Sequence, residues 1–195
     1  MKIKSIGLNL NGGRGLRPFL LDSGFKVKYF YDYSGIPAGT YYENLSGIES
    51  YLDFIDDGTI EVIIDFPTNL AFKHAYEKDP NTKFICLQKD IDKWLDVWSK
   101  TMQKYASPEQ YLFEEAFCKA YLPTTTKTRI ADLTEEELRV IYTEHYKAVD
   151  EFFKDKPNYL KLHLDDPQIS AKLRTFFEIT SDIEFDPLSD EAAIA

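Results

Sequence analysis

The sequence predicts an α/β fold of three layers, with a central parallel sheet of about five strands flanked by helices. Two observations carry this expectation. Short β-branched segments alternate with longer amphipathic ones through the middle of the chain, as parallel strands joined by helical crossovers require. A glycine cluster, Gly12, Gly13 and Gly15, separates the first strand-like segment from the first helix-like one, where such a sheet places a tight turn.

The elements follow in order. Residues 3 to 9 read as a first strand, and Leu16, Phe19, Leu20 and Leu21 recur at helical spacing up to Ser23-Gly24, whose glycine suits a C-terminal cap. Phe25 to Tyr33 reads as a second strand, and Asn44 to Asp57 as a helix with one apolar face. Ile60 to Asp65 is a third strand, with Pro67 tolerated just past its end. Thr68 to Lys78 is a helix, Lys83 to Gln88 a fourth strand, and Asp90 to Tyr105 a further helix. Pro108 to Tyr121 and Leu133 to Phe153 are amphipathic helices, the second opening on Thr134-Glu-Glu-Glu137, a capping box. Tyr159 to Leu164 is a fifth strand and Pro167 to Phe177 a last helix.

The 195 residues suit a single domain over 1–195, with an acidic tail loosely held from about residue 180. A formal net charge of −10 opposes non-specific binding to nucleic acid or anionic lipid, so neither is an expected partner. No apolar run approaches the length of a membrane span, and the start reads directly into a strand, so a cytoplasmic protein without a leader is expected. Cys86 and Cys118 lie far apart without metal-type spacing and read as buried free thiols of a reducing compartment. Homo-oligomerisation is left open.

Three glycines between a strand and a helix let main-chain amides converge at the positive end of the helix dipole, a geometry suited to phosphate or sulfate. A tight turn without a ligand has the same sequence. The pattern G-x-x-x-x-G-K-[ST] is broken, because Gly13 and Arg14 stand where Lys and Ser/Thr belong. No hydroxyl is therefore placed to ligate Mg²⁺, and no metal site is expected. Asp65 lies at a strand's carboxyl end, the edge where open α/β sheets place their ligands, and is otherwise a helix N-terminal cap or turn residue before Pro67. Arg14 either projects into solvent or supplies positive charge to an anion. His74 is a base candidate, and Trp94 and Trp98 share a helix face that suits the core.

Several segments, in chain order, resemble the sulfotransferase family. Gly7-Leu-Asn-Leu-Asn-Gly12-Gly-Arg-Gly-Leu16-Arg with Leu20 and Gly24-Phe25 is similar to its sulfate-donor loop and helix. Asp65-Phe-Pro67, then Pro80-Asn-Thr-Lys-Phe-Ile-Cys-Leu-Gln-Lys-Asp90 with Trp94, is similar to the family's strand-end acid or histidine and the "P-x-x-K-(strand)-R-D-P-x-x-W" segment. Tyr142-Thr-Glu-His145, Tyr159-Leu-Lys-Leu, Lys172-Leu and Phe176 match its ending.

The resemblance implies a P-loop-like fold and transfer of a sulfuryl group from 3′-phosphoadenosine 5′-phosphosulfate (PAPS) to a hydroxyl or amine of a small molecule or glycan, without a metal. It implies that Gly12, Gly13, Arg14, Gly15 and Leu16 hold the 5′-phosphosulfate, that Lys89 replaces the arginine on the 3′-phosphate, and that Asp65 accepts the proton, with Arg14 as the cation. The family's loop lysine falls on Leu10 and its phosphate-binding serine on Val97, with Ser99 close by. Those departures also suit a catalytically decayed nucleotide- or anion-binding or assembly protein on the same fold. A third reading takes Asn11 to Pro18 as a fragment of a sugar-phosphate nucleotidyltransferase signature, in which the Thr-Arg pair is broken.

Overall fold

Five parallel strands, β1 (Ile3–Ser5), β2 (Val27–Tyr29), β3 (Val62–Ile64), β4 (Lys83–Gln88) and β5 (Tyr159–His163), form one sheet in the order β2-β3-β1-β4-β5. The structure is a computed structural model and describes residues 1–29, 47–105 and 111–187. The helices are α1 (Gly13–Asp22), α2 (Ile48–Ile55), α3 (Phe72–Lys78), α4 (Ile91–Tyr105), α5 (Tyr111–Tyr121), α6 (Glu135–Phe153) and α7 (Ile169–Phe177). A 3₁₀ turn, Ile130–Asp132, precedes α6.

Alternation along the strands divides the core in two. Ile3, Val62, Ile64, Ile85, Leu87 and Leu162 face a cluster built with α1 and α7, whereas Ile63, Phe84 and Cys86 face a larger one built with α2 to α6. This is the three-layer arrangement expected. Because β1 hands on to α1 on one face while β3 and β4 hand on to helices on the other, the chain diverges around the carboxyl end of β1. Open α/β sheets bind ligands in such a crevice.

The strand Lys83–Gln88 has the expected bounds, and Thr134 and Glu137 close the expected capping box at α6. Other ends differ. β1 stops at Ser5, although Ile6 N still donates to Ile85 O at 2.9 Å. Beyond it Gly7 passes so close to β4 that a β-carbon would lie 2.6 Å from Leu87 O, and Leu8 and Leu10 follow Ile6 into the larger core. α3 starts at Phe72 rather than Thr68, because Thr68 to Ala71 close turns on Asp65 and Pro67 carbonyls. α1 starts at Gly13, three residues before the first apolar position that marks it in the sequence.

Of the expected second strand, residues 30 to 33 lie outside the described residues, as do the first residues of the helix expected from Asn44, the start of the helix expected from Pro108, and the tail beyond 187. Residues 183 to 185 pack onto α1 and α7. Phe185 is buried edge-on to Phe19, its amide donates to Ser170 Oγ at 3.0 Å, and Arg174 binds Ile183 O and Glu184 at 2.8 Å. None of the described helices is long and apolar enough to cross a membrane. Cys86 and Cys118 are buried free thiols, whose burial pushes them up to about 12 and about 11.

Candidate functional site at the carboxyl end of β1

Three turns, following β1, β3 and β4, converge. Residues 9 to 12 form the first. Gly12 takes a left-handed conformation (φ 87°) and caps α1, and Leu16 N bonding Gly12 O at 2.9 Å is the helix's first backbone bond. The amides of Gly13, Arg14 and Gly15 therefore precede any intrahelical acceptor, at the positive end of the helix. The first turn of α1 carries no acidic side chain and its cap makes no side-chain bond.

Asp65 supplies the negative charge from the second turn. A β-carbon on Gly13 would stand 2.6 and 2.7 Å from the two Asp65 carboxylate oxygens, so only glycine admits the carboxylate so close to the helix start. Asp65 is 2% exposed and sits at φ 66°, a left-handed conformation that costs a non-glycine residue about 1 kcal/mol or more. The turn is fixed by Thr68, whose hydroxyl donates to Ser5 O at 2.7 Å and Asp65 O at 2.5 Å. The candidate base and the candidate donor loop, remote in sequence, thus meet.

Lys89 belongs to the third turn and is 4% exposed. Its amide donates to Asn11 Oδ1 at 3.0 Å and its carbonyl accepts from Tyr142 OH. Lys93, 2.9 Å from Asp165, and with smaller effects His163 and Lys89, hold the Asp165 carboxyl below the usual carboxylate range. Trp94 Nε1 donates to Asn9 O at 2.9 Å, and Asn69 Nδ2 to Asn9 Oδ1 at 2.8 Å, stitching the three turns together. Two amide atoms here are buried without a hydrogen-bond partner: Asn11 Nδ2 and Asn69 Oδ1.

Asn9, Asn11, Thr68 and Asn69 are the contributors that sequence reasoning missed. The one signal for them was asparagine at three positions around predicted strand ends, and it does not say which turns will touch.

The side chains at the other candidate positions lie partly in the core and partly towards the surface. Leu10 stands at φ 67° with its side chain in the larger core, 3% exposed. It neither plugs the loop nor offers a position from which a side chain reaches an anion without leaving the core. On Gly12 the close neighbours are Leu164 and Leu87, at 2.8 and 3.0 Å from a built β-carbon. Leu16 is buried in the α1 core face, and Arg14 is half-buried.

Val97 is buried, and Ser99, about 200° further round the helix, is exposed on a cavity rim that no loop residue lines. His74 binds Asp53 at 3.0 Å on the surface. His145 is held neutral in the core, its Nε2 donating to Ile6 O at 2.8 Å and its Nδ1 accepting from Tyr121 OH at 2.6 Å. Burial draws its pKa down to about 4.

A search among curated proteins matched none. A family model described as a sulfotransferase domain matches residues 55–168, which include Asp65, Lys89 and Ser99 and stop short of the glycine turn. With more than half of its length matched in this way, on a five-stranded parallel sheet flanked by helices, the chain belongs to the sulfotransferase domain family.

Proposed function

We propose that the protein transfers a sulfuryl group from PAPS to a hydroxyl or amine of a small molecule or glycan, at the junction of the three turns. The observation that carries this reading is the contact of the Asp65 carboxylate with Gly13 at the start of α1. It joins a proton acceptor to a set of amides suited to an anion. The residues fit the donor in one further respect: Asn11 Nδ2, a buried hydrogen-bond donor beside the loop, has no partner among the described residues.

PAPS would supply an activated sulfuryl group whose bond to phosphate oxygen breaks as the acceptor attacks sulfur. The amides of Gly13, Arg14 and Gly15 and the Arg14 guanidinium would stabilise charge on the departing phosphate and the sulfuryl oxygens. Lys89 would hold the 3′-phosphate as a point charge, without an arginine's paired geometry. Asp65 would take the acceptor's proton, leaving sulfated acceptor and adenosine 3′,5′-bisphosphate. Ser99 has no part in this scheme, because it faces away from the loop.

The test is sulfuryl transfer from labelled PAPS to a panel of phenols, amines and sugars. The wild type is expected to turn over, and Asp65→Asn to lose about 10²- to 10⁴-fold in kcat, the usual worth of a positioned base. Unchanged turnover in Asp65→Asn would remove Asp65 from the chemistry.

A second reading, a nucleotide- or anion-binding protein without turnover, is favoured by one observation. Leu10 and Val97, where the resemblance places lysine and serine, are both built into the core. Binding of adenosine 3′,5′-bisphosphate with no transfer to any acceptor would select it.

A further inference from the structure

A cavity of about 500 Å³ opens between α4, the 3₁₀ turn and the start of α6, away from the glycine turn. Its floor is apolar, made by Leu95, Trp98, Ile130, Leu133 and Leu138. Its rim carries Asp92, Asp96 and Glu135 against, among the described residues, a single cation, Arg139. Arg139 is engaged by Asp92 at 2.5 Å and Glu135 at 2.8 Å, and Asp96 meets Lys100, at 2.6 Å, in an exposed pair of the kind that contributes little. The rim therefore keeps more negative than positive charge in a protein of net charge −10.

Trp98 is 2% exposed, so its ring closes the floor from beneath. The volume is that of an ordinary small-molecule site.

We propose that this cavity binds a small apolar or aromatic molecule bearing a protonated amine: the body lies on the apolar floor and the ammonium meets the carboxylate rim. The site does not depend on donor binding at the three turns. Neither Lys89 nor any residue of the glycine turn lines it.

The chain has two tryptophans. Trp98 lines the cavity and Trp94 packs on it with ring centres 4.9 Å apart, so selective tryptophan excitation reads the site directly. The full chain is titrated with 2-amino-1-phenylethanol, with 1-phenylethanol, which lacks the amine, and with mandelate, its anionic counterpart. The expected result is a saturable emission change for the amine, about fivefold or more weaker half-saturation for the neutral alcohol, and none for mandelate, the ratio reflecting a partly exposed ion pair.

Ala131→Phe, at an exposed lining position, should abolish the response, and Asp96→Asn should weaken only the amine. Adenosine 3′,5′-bisphosphate should leave the half-saturation unchanged. Equal responses to all three probes, no saturable response to the amine, an unaltered response in Ala131→Phe, or competition by the bisphosphate would each overturn the assignment.

Discussion

Replacing Gly13 with alanine separates two effects that normally cannot be told apart. In an ordinary helix the change stabilises by about 1 kcal/mol, because alanine loses less backbone freedom. Here the new methyl would lie 2.6 to 2.9 Å from the Asp65 carboxyl group, inside any normal contact, and must displace a buried carboxylate. Overpacking of this kind costs about 1–3 kcal/mol. The balance is a net loss of about 1 kcal/mol, or a fall in Tm of about 2–4 °C for a chain of this size.

In an Asp65→Gly background the obstacle is gone. That change by itself should be nearly neutral, since relief of the left-handed φ of 66° (about 1 kcal/mol) offsets loss of a negative charge at the helix start. Gly13→Ala should then stabilise by about 0.5–1 kcal/mol. The two changes should therefore couple by about 2 kcal/mol in a double-mutant cycle, read by urea unfolding with the buried tryptophans as probe. Additivity within about 0.5 kcal/mol would mean that the carboxylate does not rest against Gly13 in solution.

Three further outcomes follow from the same structure. Leu10→Lys, designed to restore the loop cation, should instead destabilise by about 3 kcal/mol or more, because the position is 3% exposed and its side chain is part of the core; a Tm within a degree or two of wild type would show that the lysine escapes to the loop. His145 is buried neutral with its pKa drawn down to about 4, so the fold disfavours the imidazolium. Stability is then complete above the unfolded value near 6.5 and declines as pH falls from there towards about 4, by up to about 3 kcal/mol, a slope that His145→Gln should flatten and that an unchanged slope would exclude. Both thiols should resist a disulfide reagent in the folded protein and react together in denaturant, since burial raises Cys86 to about 12 and Cys118 to about 11; rapid native labelling of either would contradict its burial.

The parallel sheet was legible because its strands carry their burial in composition. Val62 to Ile64 and Phe84 to Leu87 are apolar on both faces, as a two-sided parallel sheet demands. The cap of α6 was legible because Thr134 and Glu137 satisfy each other within one turn. The ends of β1 and α1 were not, because they depend on remote contacts. The strand stops where Gly7 meets Leu87 O, and the helix starts early because Asp65 neutralises its first turn.

For the candidate site, Asp65 and the glycines were visible as types in a pattern, whereas their contact was not. The asparagine stitching from Asn9 to Asn69 and from Asn11 to Lys89 joins turns far apart in the chain, and no local spacing encodes it. Ser99 illustrates the opposite failure. Nearness in sequence to Val97 suggested a substitute, but a two-residue step on a helix turns the side chain to another face.

The reading of the three turns as a donor site rests on their holding a nucleotide with two phosphates, and titration calorimetry of adenosine 3′,5′-bisphosphate into the full chain measures that directly. Saturable binding is expected, weakened by about tenfold or more in Lys89→Met, as loss of one charged phosphate contact implies. No detectable heat of binding at millimolar ligand would contradict it, leaving Asp65 as a purely structural anion at the start of α1.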